Sequence, residues 1–96
     1  MHGEYKMPGG KLVVIDLDVH RGRLAGVQLS GDFFLEPDTA LLAIDAALEG
    51  MPVDASETAL ATAVQAALGS DVSMYGISTE AIAIAVRRAL KEEAAP

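Results

Sequence analysis

From Lys11 to His20 the chain alternates: Val13, Ile15, Leu17 and Val19 fall on one side of an extended backbone, and Leu12, Val14, Asp16, Asp18 and His20 on the other. A period of two with β-branched residues marks a strand with one buried face. Arg21-Gly22 is a tight-turn signal, and Arg23 to Ser30 places Ala25, Val27 and Leu29 on one face. These runs predict an antiparallel hairpin. Beyond Gly31 the apolar spacing becomes helical. Strands first and helices after them predict an α+β chain, a small antiparallel sheet with three helices packed on one face.

The first helix is expected to open at Glu36-Pro37, because proline suits a first turn whose N–H groups have no partner. Leu41, Ile44 and Leu48 form its stripe, and Gly50 stops it. Asp54-Ala55-Ser56-Glu57 has the spacing of a capping box for the second helix. Its stripe is Leu60, Val64, Ala67 and Leu68, and it ends at Gly69. Val72 to Tyr75 is a short apolar run, a possible third strand. Ser78 caps the last helix, with Ile77 and Ile82 at hydrophobic-staple spacing. Ile82, Ala85, Val86, Ala89 and Leu90 form its buried face, while Arg87, Arg88 and Lys91 complement the negative end of the helix dipole. Residues 92–96 are expected to fray.

A chain of 96 residues supports one domain with one core, and residues 1–96 are read as such. Without cysteine there are no disulfides, thiolate metal sites or Cys nucleophile. With no signal-like or membrane-spanning run, a cytoplasmic protein is the expectation. The net charge of −7 is uneven: +1 over 1–11, zero over 12–30, −9 over 31–80 and +1 over 81–96. Such a field repels phosphate backbones, so neither nucleic acid nor membrane is expected as a partner.

Against that background one basic island stands out. Tyr5-Lys6-Met7-Pro8-Gly9-Gly10-Lys11 is read as part of a Gly/Pro/Lys loop or arm spanning residues 1–11. Glycines let a backbone approach a ligand closely, and lysines supply compact positive charge. It is not a nucleotide P-loop, which needs a glycine five positions before Gly-Lys and Ser or Thr after it, where Tyr5 and Leu12 stand. The plainer reading is a turn into a strand with solvated lysines.

Other constellations are weaker. Asp16, Asp18 and His20 share a strand face, but ligands two apart on an exposed strand splay, and no metal site is expected. His2 sits near the terminus and is read as mobile. Ser30, His20 and Asp32 draw a triad on paper without a nucleophile elbow. Met7, Met51 and Met74 are isolated fillers.

The run Gly3-Glu4-Tyr5-Lys6-Met7-Pro8-Gly9-Gly10-Lys11-Leu12-Val13, a hairpin, Gly31-Asp32-Phe33-Phe34-Leu35-Glu36-Pro37 and Tyr75-Gly76-Ile77-Ser78 resemble the C-terminal accessory domain of lipoate–protein ligases. The similarity spans nearly the whole chain in the same order. It implies an accessory subunit, separate from a catalytic subunit that binds ATP, Mg and lipoate. The subunit would be needed for activation of lipoate to lipoyl-AMP and less for transfer to lipoyl acceptor domains, which are indirect partners. The chain alone would bind no cofactor and would not turn over. The family's small domain is also similar in fold to SufE/NifU-type proteins, and the alternative is a non-catalytic module of that fold acting on another enzyme. On this reading Lys11 is the foremost candidate for an electrostatic role in trans and Lys6 the weaker one. Tyr5, Pro8, Gly9 and Gly10 form the partner-facing loop, and Asp32, Phe33 and Phe34 the interface, with one Phe in the core and the other free.

Overall fold

The computed structural model describes residues 1–69 and 72–94. In chain order the elements are β1 (His2–Lys6), β2 (Leu12–His20), β3 (Arg23–Gly31), β4 (Phe34–Glu36), α1 (Ala40–Leu48), α2 (Glu57–Ala67), β5 (Ser73–Tyr75) and α3 (Thr79–Ala94). β1, β2 and β3 form an antiparallel sheet in that order, and β4 pairs with β5 in a separate ribbon. One face of the larger sheet carries Val13, Ile15, Leu17, Leu24, Val27 and Leu29 into a core closed by the helices. The α+β architecture expected from the pattern is the observed one.

The third strand of the main sheet is not Val72–Tyr75 but β1. What reads as an N-terminal loop or arm is a strand from His2 to Lys6, registered so that His2 faces Asp16 and Lys6 faces Leu12. The terminal ammonium extends the pairing by donating to the Leu17 carbonyl at 2.7 Å. Gly3 explains why a glycine belongs there. A Cβ at Gly3 would strike the Ala85 carbonyl and the Ala89 backbone, so its absence lets α3 lie directly on β1. Ala85 and Ala89, both fully buried, supply the small side chains the same contact needs.

Strand β3 presents Leu24, not Ala25, to the core, and Ala25 is only half-buried. The pairing slips between Asp16 and Asp18, where Gly26 takes a φ of +60°. A bulge adds one residue and turns every side chain beyond it to the other face. At the hairpin tip Arg21 and Gly22 both have positive φ, the geometry of a tight two-residue connection.

Pro37 does not open α1. The chain stays extended through Glu36 because β4 pairs with β5, the Glu36–Pro37 bond is cis, and the helix begins at Ala40 after a turn in which Ala40 N–H donates to the Pro37 carbonyl. Its buried residues are Ala40, Ile44 and Leu48, with Leu41 half-buried. Helix α2 is capped by Ser56, whose hydroxyl accepts from Ala59 N–H at 3.1 Å, two residues after the expected Asp54. Leu60, Val64 and Leu68 are buried as expected, but Ala67 is exposed. Ser78 caps α3 through Ala81 N–H, with Ile77 and Ile82 both buried.

Helix α3 runs to Ala94, through most of the segment expected to fray; Ala95 and Pro96 lie outside the described residues. Two of its cations serve tertiary contacts. Arg87 donates to the Val53 and Ala55 carbonyls, and Arg88 to the Glu4 carbonyl. No helix among the described residues is long and apolar enough to cross a membrane.

Candidate functional site

The turn between β1 and β2 has Pro8 followed by Gly9 at φ +66°, closed by Gly10 N–H donating to the Met7 carbonyl at 2.8 Å. Proline then positive-φ glycine is the type II arrangement. The Pro-Gly-Gly segment is thus a hairpin turn, and it presents Lys11 at the start of β2. The exposed Lys11 lays its aliphatic stem against Gly76, where a Cβ would collide with it.

Gly76 follows Tyr75, and Tyr75 pairs with Phe34 across the β4–β5 ribbon. Their rings lie 6.0 Å apart, tilted by 44°. Phe34 is 59 % exposed and Tyr75 57 %. The side chains of the adjacent phenylalanines diverge as expected: Phe33 packs half-buried against the core and Phe34 stays outside. Asp32 holds this exit to the basic turn, its Oδ1 accepting from Leu12 N–H at 2.7 Å. The glycine turn, the Gly31–Phe34 segment and the Tyr75–Gly76 segment therefore meet at one end of the molecule.

Beside Phe34 lies an apolar depression of about 300 Å³ bordered by Leu29, Phe33, Phe34, Leu35, Leu41 and Asp38. A second, more polar depression of about 330 Å³ shares Phe34, Leu35 and Asp38 with the first and is otherwise bordered by Glu36 and Pro37. Exposed aromatic rings beside a depression are the kind of surface that marks an interaction site.

Not every predicted residue joins this end. Tyr5 lies within β1, half-buried, with the Arg88 guanidinium 4.9 Å from its ring centre. It is a packing residue under a cation rather than part of a loop. Lys6 is exposed and alternates with the buried Gly3 and half-buried Tyr5, so it shares the solvent face with His2 and Glu4. Lys11 lies on the other face, against Gly76. The two lysines of the motif thus serve different faces of the sheet.

His2 is not a loose end. Its Nδ1 pairs with Asp16 Oδ1 at 2.7 Å and its Nε2 with Glu4 Oε2 at 2.6 Å. The bond to Glu4, then that to Asp16, raises its pKa above the ordinary 6.5. Asp16 is thereby separated in role from Asp18 and His20, which are both exposed. No cluster of three potential ligands that could hold a metal occurs among the described residues. Nor does a triad form. Ser30 pairs with Val14, and His20 lies six residues along the same strand, about 20 Å away at strand rise.

Sequence reasoning missed Tyr75 as an exposed ring, and Asp38 as the carboxylate bordering both depressions. Tyr75-Gly76 was visible as part of a motif, but its partnership with Phe34 depends on the β4–β5 pairing.

No family model matches the chain, and no curated protein matches it in sequence. Among solved structures it is similar to a chain of an archaeal lipoylation system, a bi-partite lipoate protein ligase and its E2 lipoyl domain from Thermoplasma acidophilum. The TM-score is 0.69 at 22% identity, covering 91% of this chain and 98% of that one. The chain has that fold. The likeness takes in nearly all of both chains.

Proposed function

We propose that this chain is the accessory subunit of a lipoate–protein ligase, working in the cytoplasm with a separate catalytic subunit in the ATP-dependent activation of lipoate to lipoyl-AMP. The fold likeness to a chain of a bi-partite lipoylation system supports it. The observation that carries it is local. The three segments that resemble the ligase accessory domain, far apart in sequence, come together around Lys11, Phe34 and Tyr75.

In this reading ATP, Mg and lipoate belong to the catalytic subunit, and acceptor domains are met only through it. Activation brings a carboxylate against a triphosphate, so negative charge is crowded and redistributed in the transition state. A cation held nearby lowers that barrier, and more so where water is excluded. Lys11 suits the task. Its stem is braced on Gly76, the residue after Tyr75 of the exposed aromatic pair that would seal against the partner. The absence of cysteine disfavours the sulfur-transfer chemistry of a SufE/NifU-type module.

Lipoyl-AMP formation by the catalytic subunit, measured with and without this chain, tests the proposal. Stimulation by the added chain is the expected result, with no lipoyl-AMP formed by the chain alone. Equal rates with and without it would remove the accessory role.

A further inference from the structure

The open end has two adjoining depressions of unlike character that share lining residues. The Phe34 ring borders both, and so does Asp38. The first is otherwise walled by Leu29, Ser30, Gly31, Phe33, Leu35 and Leu41, and the second by Leu35, Glu36 and Pro37. No lysine or arginine occurs from Gly31 to Glu80, so no cation on these segments neutralises the two carboxylates. Lys11, whose stem is braced against Gly76, next in sequence to Tyr75, lines neither depression.

From this arrangement we infer that the open end receives a surface segment of the partner protein in which an apolar side chain stands beside a lysine or arginine. The apolar group enters the depression between Phe33 and Leu41, and the cation reaches the one between Glu36 and Asp38. The inference rests on the accessory-subunit reading and specifies the partner's half of the contact. Charge complementarity fixes the direction. A cation is attracted at the Asp38 end and repelled at the Lys11 end, so the segment docks one way round. Anionic ligands are disfavoured in both depressions for the same reason. The exposed Phe34 ring, shared by both depressions, is the natural anchor, since a few large side chains near the centre of a contact dominate interface energies.

Calorimetric titration of the ligase catalytic subunit with this chain, at low and moderate salt, tests the inference. Phe34→Ala should weaken binding roughly 30-fold, and Asp38→Lys by a similar factor. Asp38→Asn should weaken it less and flatten the salt dependence, because the screened charge pair is gone. Leu42→Ala removes an equally exposed apolar side chain, 68 % accessible, that borders neither depression, and should leave affinity unchanged. Unchanged melting temperatures identify these as binding effects. Undiminished affinity in both Phe34→Ala and Asp38→Lys would overturn the inference while leaving the ligase reading intact. Failure of the wild-type chain to bind would overturn both.

Discussion

The two flanks of this molecule treat unsatisfied surface in opposite ways. Along the outer edge of β3 the free backbone donors are covered from α1 and its C-cap: Glu49 accepts from Gly26 N–H at 2.9 Å and Val27 N–H at 3.1 Å, and Asp45 accepts from Leu29 N–H at 3.0 Å. An exposed strand edge invites pairing with another chain, and carboxylates laid along it prevent that. On the β1 side, α3 sits directly on Gly3, and Arg88 takes the Glu4 carbonyl. At the β4–β5 end two aromatic rings are left more than half exposed beside an apolar depression. The proposed accessory role rests on that contrast between covered edges and an open end.

The largest effect should come from the closed side. Gly3→Ala puts a methyl group into the α3 backbone, and overpacking of this kind costs about 1–3 kcal/mol or more. Thermal denaturation should show a large drop, and an unchanged melting temperature would mean that α3 does not bear on β1 as described.

The carboxylate caps come next and sharpen the comparison. Asp45→Ala leaves the half-buried Leu29 N–H without a partner, at a cost of about 1–3 kcal/mol. Asp45→Asn keeps an acceptor oxygen and should behave differently. Burial, opposed by the Leu29 N–H and reinforced by Glu49, raises the Asp45 pKa above 3.8. The folded state therefore holds this proton more tightly than the unfolded one. The contribution is fully present below the unfolded value and is lost as pH rises through the folded value. At neutral pH the ionised group is a burden, so Asp45→Asn should melt at or above wild type there and lose part of the acid-range pH dependence. A variant as damaged as Asp45→Ala would show that the charge, not the hydrogen bond, is what matters.

What was legible in the sequence divides along similar lines. Strand β2 and helix α3 were readable because their periodicity is strong and their burial one-sided. Strand β1 was not, because glycines and a Pro-Gly pair carry local loop signals. Its extended state comes from long-range partners: β2, Leu17 and the underside of α3. The Gly26 bulge likewise exchanged Ala25 for Leu24 in the core, and a bulge follows from pairing rather than from the local pattern. At the candidate site Lys11, Phe33 and Phe34 were named from sequence. Tyr75 and Asp38 were not, since their place depends on the β4–β5 ribbon and the turn into α1.

On the open end, Phe34→Ala and Tyr75→Ala should each shift stability within about 0.5 kcal/mol, as exposed substitutions do. Both should weaken partner binding. If either unfolds the chain, the rings belong to the core and the contrast between the flanks fails.

The smallest effect concerns His2. Its raised pKa means that the clasp onto Glu4 and Asp16 is fully present below about 6.5 and is lost as pH rises through the folded value. Amide exchange in β1 should accelerate across that window beyond the intrinsic pH effect, and His2→Gln should abolish the excess. Identical profiles for the two proteins would remove the clasp.

The central claim, that the open end serves lipoate activation, is tested most directly through the cation braced on Gly76. Lipoyl-AMP formation by the catalytic subunit should be measured with saturating wild-type chain and with saturating Lys11→Ala. The account predicts at least a 10-fold slower formation with Lys11→Ala, less than the roughly 10²–10³-fold loss that follows removal of a donor held inside an active site. Transfer from preformed lipoyl-AMP should be nearly unchanged, and Lys6→Ala should have the smaller effect. Unaltered lipoyl-AMP formation at full complex occupancy would contradict it.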